Sequence, residues 1–154
     1  MKNSSVYYSH SGRVGPVGFP LLIASGLLSS AVLSVAYSLA IHYIPFVYLD
    51  AIMPFVFGAG MGYGICWGVK TGHVRNSAAA LVVAFASGVI GIYLSWVGAL
   101  FILSGFEVLV FDPPALIGFI QGIAVDGVWS LKSWTPTGWA LYAFWIAEAA
   151  IVIL

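Results

Sequence analysis

From Val17 to Ile41 the chain carries no charged residue. A helix of that length, rising 1.5 Å per residue, crosses a hydrocarbon core of roughly 30 Å. The run exceeds the roughly 7 to 15 apolar residues of a secretory signal peptide, so it reads as a permanent anchor even though Ser38-Leu39-Ala40 resembles a cleavage site. Further apolar stretches follow, and the composition agrees: 62% of residues are hydrophobic and 6% charged, against roughly 25% charged in a soluble domain. Water cannot accept that much apolar surface, whereas lipid can. The chain therefore reads as an integral membrane protein.

Residues 1–16 are polar and aperiodic and read as a cytoplasmic N-terminal segment, leaving 17–154 as one membrane domain. The expected spans are about 17–41, 50–69, 77–103 and 137–154. The turn around Tyr43, Phe46 and Tyr48 holds no Lys or Arg and suits an aromatic interfacial belt. Pro54 fits the first turn of a helix capped by Asp50; a start near Phe46 with a kink at Pro54 is the alternative. Gly72 suits the left-handed position after the second span, and Asn76 suits the next N-cap.

Asp112-Pro113-Pro114 starts a helix expected over 113–131, where Gly118, Gly122 and Asp126 fall on one stripe with Gln121 beside them. That polar stripe favours a helix lying in the outer interface, giving four transmembrane helices plus an interfacial one. A fifth span is the alternative, because it places Lys132 inside. The fold class is thus an all-α polytopic membrane bundle. Lys2 and Arg13 precede the first span, and Lys70 and Arg75 lie between the second and third, so the positive-inside rule puts the N-terminus and the 70–76 loop in the cytoplasm.

Two features carry most of what the residues say about function. Gly58, Gly60, Gly62, Gly64 and Gly68 give the second span two small-residue faces. Ser25, Gly26, Ser29 and Ser30, with Ala80, Ala84 and Gly88, offer matching surfaces, so close helix packing within the chain, or with other membrane helices, is expected. Glu148 is the one carboxylate well inside an apolar run, placed near the middle or inner half of the last span, and an intramembrane acid is a functional candidate.

His42, Asp50 and Asp126 are outer-face candidates for an acid/base set, although their spacing matches no metal motif. Lys70, His73 and Arg75 mark the cytoplasmic loop. Cys66 reads as a small packing residue. The charges balance at five basic and five acidic residues, so no basic field recruits nucleic acid. No Walker, H-E-x-x-H, G-x-S-x-G or C-x-x-C pattern appears, and no catalytic set, metal site or cofactor is expected.

Five segments resemble the recurring pieces of a group of uncharacterised bacterial multi-pass inner-membrane proteins: Tyr8-Ser9-His10-Ser11-Gly12, Phe19-Pro20, Ile44-Pro45-Phe46-Val47-Tyr48-Leu49-Asp50, Lys70-Thr71-Gly72-His73-Val74-Arg75-Asn76 and Trp145-Ile146-Ala147-Glu148-Ala149. The resemblance implies a bacterial origin and brings no activity or cofactor. Some members continue past the last helix into a soluble region, so it also suggests that this sequence is the membrane part of a longer chain. The functional expectation is a small inner-membrane scaffold or assembly subunit acting through helix packing. The alternative is an ion-coupled transporter or channel subunit that uses Glu148.

Overall fold

The computed structural model describes residues 15–44, 47–128, 130 and 134–153, with 47–50 described by their backbone alone. The described residues form an all-helical bundle of α1 (Gly18–Tyr43), α2 (Val47–Thr71), α3 (Ser77–Leu103), α4 (Pro113–Asp126) and α5 (Trp139–Ile153). Among the described residues only α1, α2 and α3 are both long and apolar enough to cross a membrane. The polar segment 1–14 and Lys132 lie outside the described residues.

Burial in the bundle departs from that of a soluble protein. Ser25, Ser30, Ser34, Ser38, Ser87 and Ser95 are buried, while Leu28, Val32, Val35, Leu81, Val82 and Phe85 are half or more exposed. In lipid the large apolar side chains face the solvent, and association depends on close packing and interhelical hydrogen bonds between small residues. This arrangement is what makes the chain a membrane protein.

Helices α1 and α2 are antiparallel, and small residues keep them close. A Cβ at Gly72 would meet the Gly18 carbonyl oxygen at 2.8 Å, and one at Gly68 or Gly64 would sit 2.9 Å from the Cβ of Ser25 or Ser29 respectively. Gly60 abuts Leu33. Helices α1 and α3 run parallel: Ser30 Oγ donates to the Ser87 carbonyl and Ser38 Oγ to the Ser95 carbonyl, each at 2.8 Å across 57 residues of sequence. The seam therefore keeps one register for two helical turns.

Three boundaries differ from expectation. Helix α2 starts at Val47, so Asp50 is not its cap and Pro54 lies inside the helix, fully buried. In lipid an extra turn satisfies backbone groups that a loop would strand, and neighbouring helices make an internal proline tolerable. The left-handed residue after α2 is His73, at φ 50°, rather than Gly72. The Val74 N–H reaches the Val69 carbonyl at 3.0 Å, closing a Schellman motif. Gly72 is required instead for the approach to Gly18. Asn76 caps α3 as expected, accepting from the Ala79 N–H at 3.0 Å.

Helix α4 starts as expected, with Asp112 accepting from the Ala115 N–H and prolines opening the first turn. It ends at Asp126, five residues short of the expected 131, because Gly127 adopts φ 80° and ψ 155°. That region is open essentially to glycine alone. Gly118, Gly122, Gln121 and Asp126 are all exposed, and Leu116 and Ala124 form the buried face. The loop ahead of α5 is tied to α4 by the Gly138 N–H, which donates to the Ala124 carbonyl at 2.8 Å.

Helix α5, read from sequence as the fourth span, has 15 residues, about 22 Å at 1.5 Å per residue. It packs against α2 and α3 at Gly58 and Gly88, where Ile151, Val152 and Ile153 approach. Gly88 lies near the middle of α3, so the described part of α5 descends from the Leu103 end to about half the depth of the bundle.

Candidate functional site

A cavity of about 510 Å³ occupies the half of the bundle toward Tyr43 and Leu103. Three helices each contribute one stripe to its wall at helical spacing, and Phe57 of α2 adds a single side chain: Tyr37, Ser38 and Ile41 on α1; Ile92, Ser95, Trp96 and Ala99 on α3; Trp145, Glu148 and Val152 on α5. Ile123 of α4 and Val128 just beyond it complete one side. Half-buried Glu148 lies one turn deeper than Trp145 and one turn short of Val152.

Glu148 therefore lies between the Trp96–Trp145 contact and the contact of Val152 and Ile153 with Gly88. In that half of the bundle the carboxylate faces neighbouring helices and a cavity.

The cavity is exposed toward one end. His42, Ile44 and Val128 at its mouth are exposed, whereas Phe57 and Val152 at its floor are buried. Below the floor, Phe57, Met61 and Val152 pack with Leu33, Tyr37 and Ile92, and a second cluster of Leu22, Ile65, Val74 and Val83 fills the bundle toward the Gly18/Gly72 end.

The chemistry of the wall is uneven. A serine hydroxyl has one proton to donate, and Ser38 Oγ lies 2.8 Å from both the Ser34 and the Ser95 carbonyls. Ser95 Oγ donates to the Ile92 carbonyl at 2.7 Å. Both protons are engaged within the bundle, and Ser38 Oγ sits in the α1–α3 seam, where a Cβ at Gly98 would meet it at 2.6 Å. The Trp96 and Trp145 rings meet edge to face at 4.9 Å, and Tyr142 and Trp145 do the same at 5.6 Å. Tyr37 and Phe57 lie 5.2 Å apart at the floor. Each ring thereby fixes its neighbour's plane.

The other candidates separate. His42 shares the cavity mouth, but Asp126 is exposed on α4 and does not line the cavity, and the Asp50 side chain lies outside the described residues. Among the described residues no group of three His, Cys, Asp or Glu side chains could hold a metal ion. Gly60, Gly64 and Gly68 face α1, and Gly58 faces α5. Gly62 alone of the five is exposed, with nothing within 4 Å of an added Cβ. Lys70, His73 and Arg75 are exposed at the α2–α3 turn. Cys66 is exposed on α2 and does not pack inside the bundle.

Sequence reasoning missed Ser34, Ser38, Ser87, Gly91, Ser95 and Gly98, which build the α1–α3 seam, Ser38 and Ser95 also lining the cavity. The signal was present in the four-residue spacing of Gly26, Ser30, Ser34 and Ser38, matched by Ser87, Gly91 and Ser95. The reading stopped at the first turns of that stripe. No family model, curated protein or solved structure matches this chain.

Proposed function

We propose that this chain is a membrane subunit that binds a small solute in the Glu148 cavity and couples its movement to protonation of that carboxylate. The observation that carries the reading is the placement of the Glu148 residue in the wall of a 510 Å³ cavity between apolar helices. Ligand sites have this size, and ionisable groups at this depth mark substrate or proton paths. The buried floor speaks for a carrier with alternating access rather than an open pore.

The test is infrared difference spectroscopy of the full chain in lipid. The Glu148 carboxyl band is expected to titrate with bulk pH and to shift in heavy water, and to vanish in Glu148→Gln. A carboxyl that neither titrates nor exchanges overturns the reading, as does proton flux into proteoliposomes that Glu148→Gln leaves unchanged.

A scaffold or assembly subunit is the second reading, favoured by one observation. Ala59, Gly62 and Cys66 form a small, exposed face on α2, on which nothing in the chain packs at Gly62. Crosslinking in mild detergent that recovers only monomers, or a Gly62→Leu chain that assembles as before, counts against it.

The orientation follows from charge. Lys70 and Arg75 lie at the Gly18/Gly72 end, with Lys2 and Arg13 preceding α1 in sequence, while Glu107, Asp112 and Asp126 follow α3 at the opposite end. The positive-inside rule then makes the N-terminus cytoplasmic and opens the cavity outward. The resemblance to bacterial multi-pass proteins supports an inner-membrane location.

A further inference from the structure

We infer that residues 104–127 form a re-entrant hairpin, tied at its tip by Tyr93. It enters the membrane from the Leu103 end, turns at Asp112-Pro113-Pro114 inside the hydrocarbon, and returns along α4 to the mouth of the cavity. This placement holds whatever the cavity takes up.

The descent is fixed by hydrogen bonds to α3. The chain leaves α3 through Gly105 and Phe106, both at positive φ, and the Phe106 N–H closes on the Phe101 carbonyl at 2.9 Å. The Val108 N–H donates to Ser104 Oγ at 3.0 Å, which holds it at the helix end. Three residues later the Phe111 carbonyl accepts from the Tyr93 hydroxyl. Tyr93 lies ten residues before Leu103 on α3, a drop of about 15 Å, and a helical side chain leans further toward the N-terminal end of its helix. Residues 107–112 form neither helix nor turn. Four extended residues, 108–111, reach about 13 to 14 Å, close to that drop.

The return is fixed independently by α5. Trp145 meets Trp96 at 4.9 Å and Ile153 backs onto Gly88, so α5 runs antiparallel to α3. Gly138, seven residues before Trp145, therefore lies about 10 Å nearer the Leu103 end than Trp96. Its N–H donates to the Ala124 carbonyl at 2.8 Å and seats the last turn of α4 at that height. From Asp112 to Ala124 a helix rises about 18 Å, enough for the climb at a moderate tilt. A helix lying flat in the interface has both ends at one depth, and a span has them at opposite faces. Here the two ends differ in depth, and the upper one is back on the side of entry.

The turn lies within the hydrocarbon. Helix α3 has 27 residues, about 40 Å against a core of roughly 30 Å. With the excess shared between the two faces, Tyr93 sits about 10 Å inside the outer boundary. The polarity of the hairpin follows this depth: Glu107 and Asp126 stand at its two ends, and Asp112 is the single charged residue between them. Leu109, Phe111 and Ile117 around the tip are more than half exposed, as lipid-facing side chains are. Lipid cannot complete a helix start, which leaves four N–H positions without an intrahelical partner. Two of these are prolines, and the Ala115 N–H is taken by the Asp112 side chain at 3.1 Å.

The hairpin also carries part of the cavity wall, because Ile123 and Val128 line the mouth. Tyr93 does not line the cavity. By holding the tip it acts as a positioning residue for that wall.

The experiment measures depth. Nitroxide labels at Phe106→Cys, Phe111→Cys and Asp126→Cys, each in a Cys66→Ser background of the full chain in sealed lipid vesicles, are compared for collision with oxygen and with a nickel chelate added to one side. All three positions are exposed, so the labels leave the core intact. The Phe106 and Asp126 labels are expected at the same interface and the Phe111 label about 10 Å deeper. Tyr93→Phe keeps the ring and removes the hydroxyl, and is expected to move the Phe111 label toward the interface while the other two stay in place. Equal depth at all three positions overturns the inference in favour of a flat interfacial helix. Phe106 and Asp126 labels at opposite faces overturn it in favour of a fifth span. A Phe111 label that stays equally deep in Tyr93→Phe overturns the part assigned to Tyr93.

Discussion

Ser30 Oγ on α1 donates at 2.8 Å to the backbone carbonyl of Ser87 on α3, while also contacting the Gly26 carbonyl of its own helix at 2.8 Å. Ser38 repeats the arrangement on Ser95, eight residues further along α1. Such bonds are possible only where the backbones approach closely, and Gly26, Gly91 and Gly98 stand at the same seam. The hydroxyls thus fix register, and the glycines permit the distance at which they act.

Removing the hydroxyl is expected to cost little. Ser30→Ala should destabilise the bundle by about 0.6 kcal/mol, a typical value for an interhelical side-chain hydrogen bond in a membrane protein. Ser30→Leu should cost more, about 1 to 3 kcal/mol, because the site is fully buried and overpacking forces the helices apart. Unfolding of the two variants in mixed micelles checks the order. Equal losses would show that the seam tolerates separation.

The glycines of α2 should divide by what they face. Gly68→Leu and Gly64→Leu place side chains where a Cβ alone lies 2.9 Å from the Cβ of Ser25 or Ser29, and each should cost about 1 to 3 kcal/mol or more. Gly62→Leu meets open space and should leave unfolding unchanged within about 0.5 kcal/mol. The same micelle titration measures all three. A destabilised Gly62→Leu monomer would contradict the packing described here.

Which parts of this architecture were legible beforehand depends on the physics behind each signal. The apolar runs, the Asp112-Pro113-Pro114 start and the Asn76 cap are local properties, and the folded chain follows them. The α2 start was misplaced because Asp50 and Pro54 suggest a helix start in water, whereas lipid rewards continuing the helix through both. Gly72 was assigned a conformational role because the chain alone does not reveal Gly18 beside it. Glu148 stood out at once, since a carboxylate in an apolar run is conspicuous. Its companions Ser38, Ser95, Trp96 and Trp145 come from three helices, and only their assembly shows that they share one space.

Gly127 should prove irreplaceable for the α4–α5 connection. It sits at φ 80° and ψ 155°, and an added Cβ would meet Thr135 Cγ2 at 2.5 Å and the Pro136 carbonyl oxygen at 3.2 Å. Gly127→Ala is expected to cost about 1 to 3 kcal/mol locally. The loss should appear as faster amide exchange at Gly138, whose N–H donates to Ala124, with the α1–α3 seam unaffected. Exchange that rises equally throughout the bundle would show that this turn governs the whole fold.

The polarity of the bundle yields the remaining prediction. Arg75 and Asp126 are both exposed and lie at opposite ends, since Arg75 follows α2 and Asp126 closes the helix after α3. In a Cys66→Ser background, Arg75→Cys and Asp126→Cys should react with a membrane-impermeant maleimide from opposite faces of a sealed vesicle. The positive-inside rule predicts reaction of Arg75→Cys from the cytoplasmic face. His42→Cys, at the cavity mouth, should share the face of Asp126→Cys, and Val83→Cys, buried in the lower cluster, should react from neither. If His42→Cys instead labels with Arg75→Cys, then α1 does not cross the membrane, and the cavity has no entrance on the side that its exposed residues define.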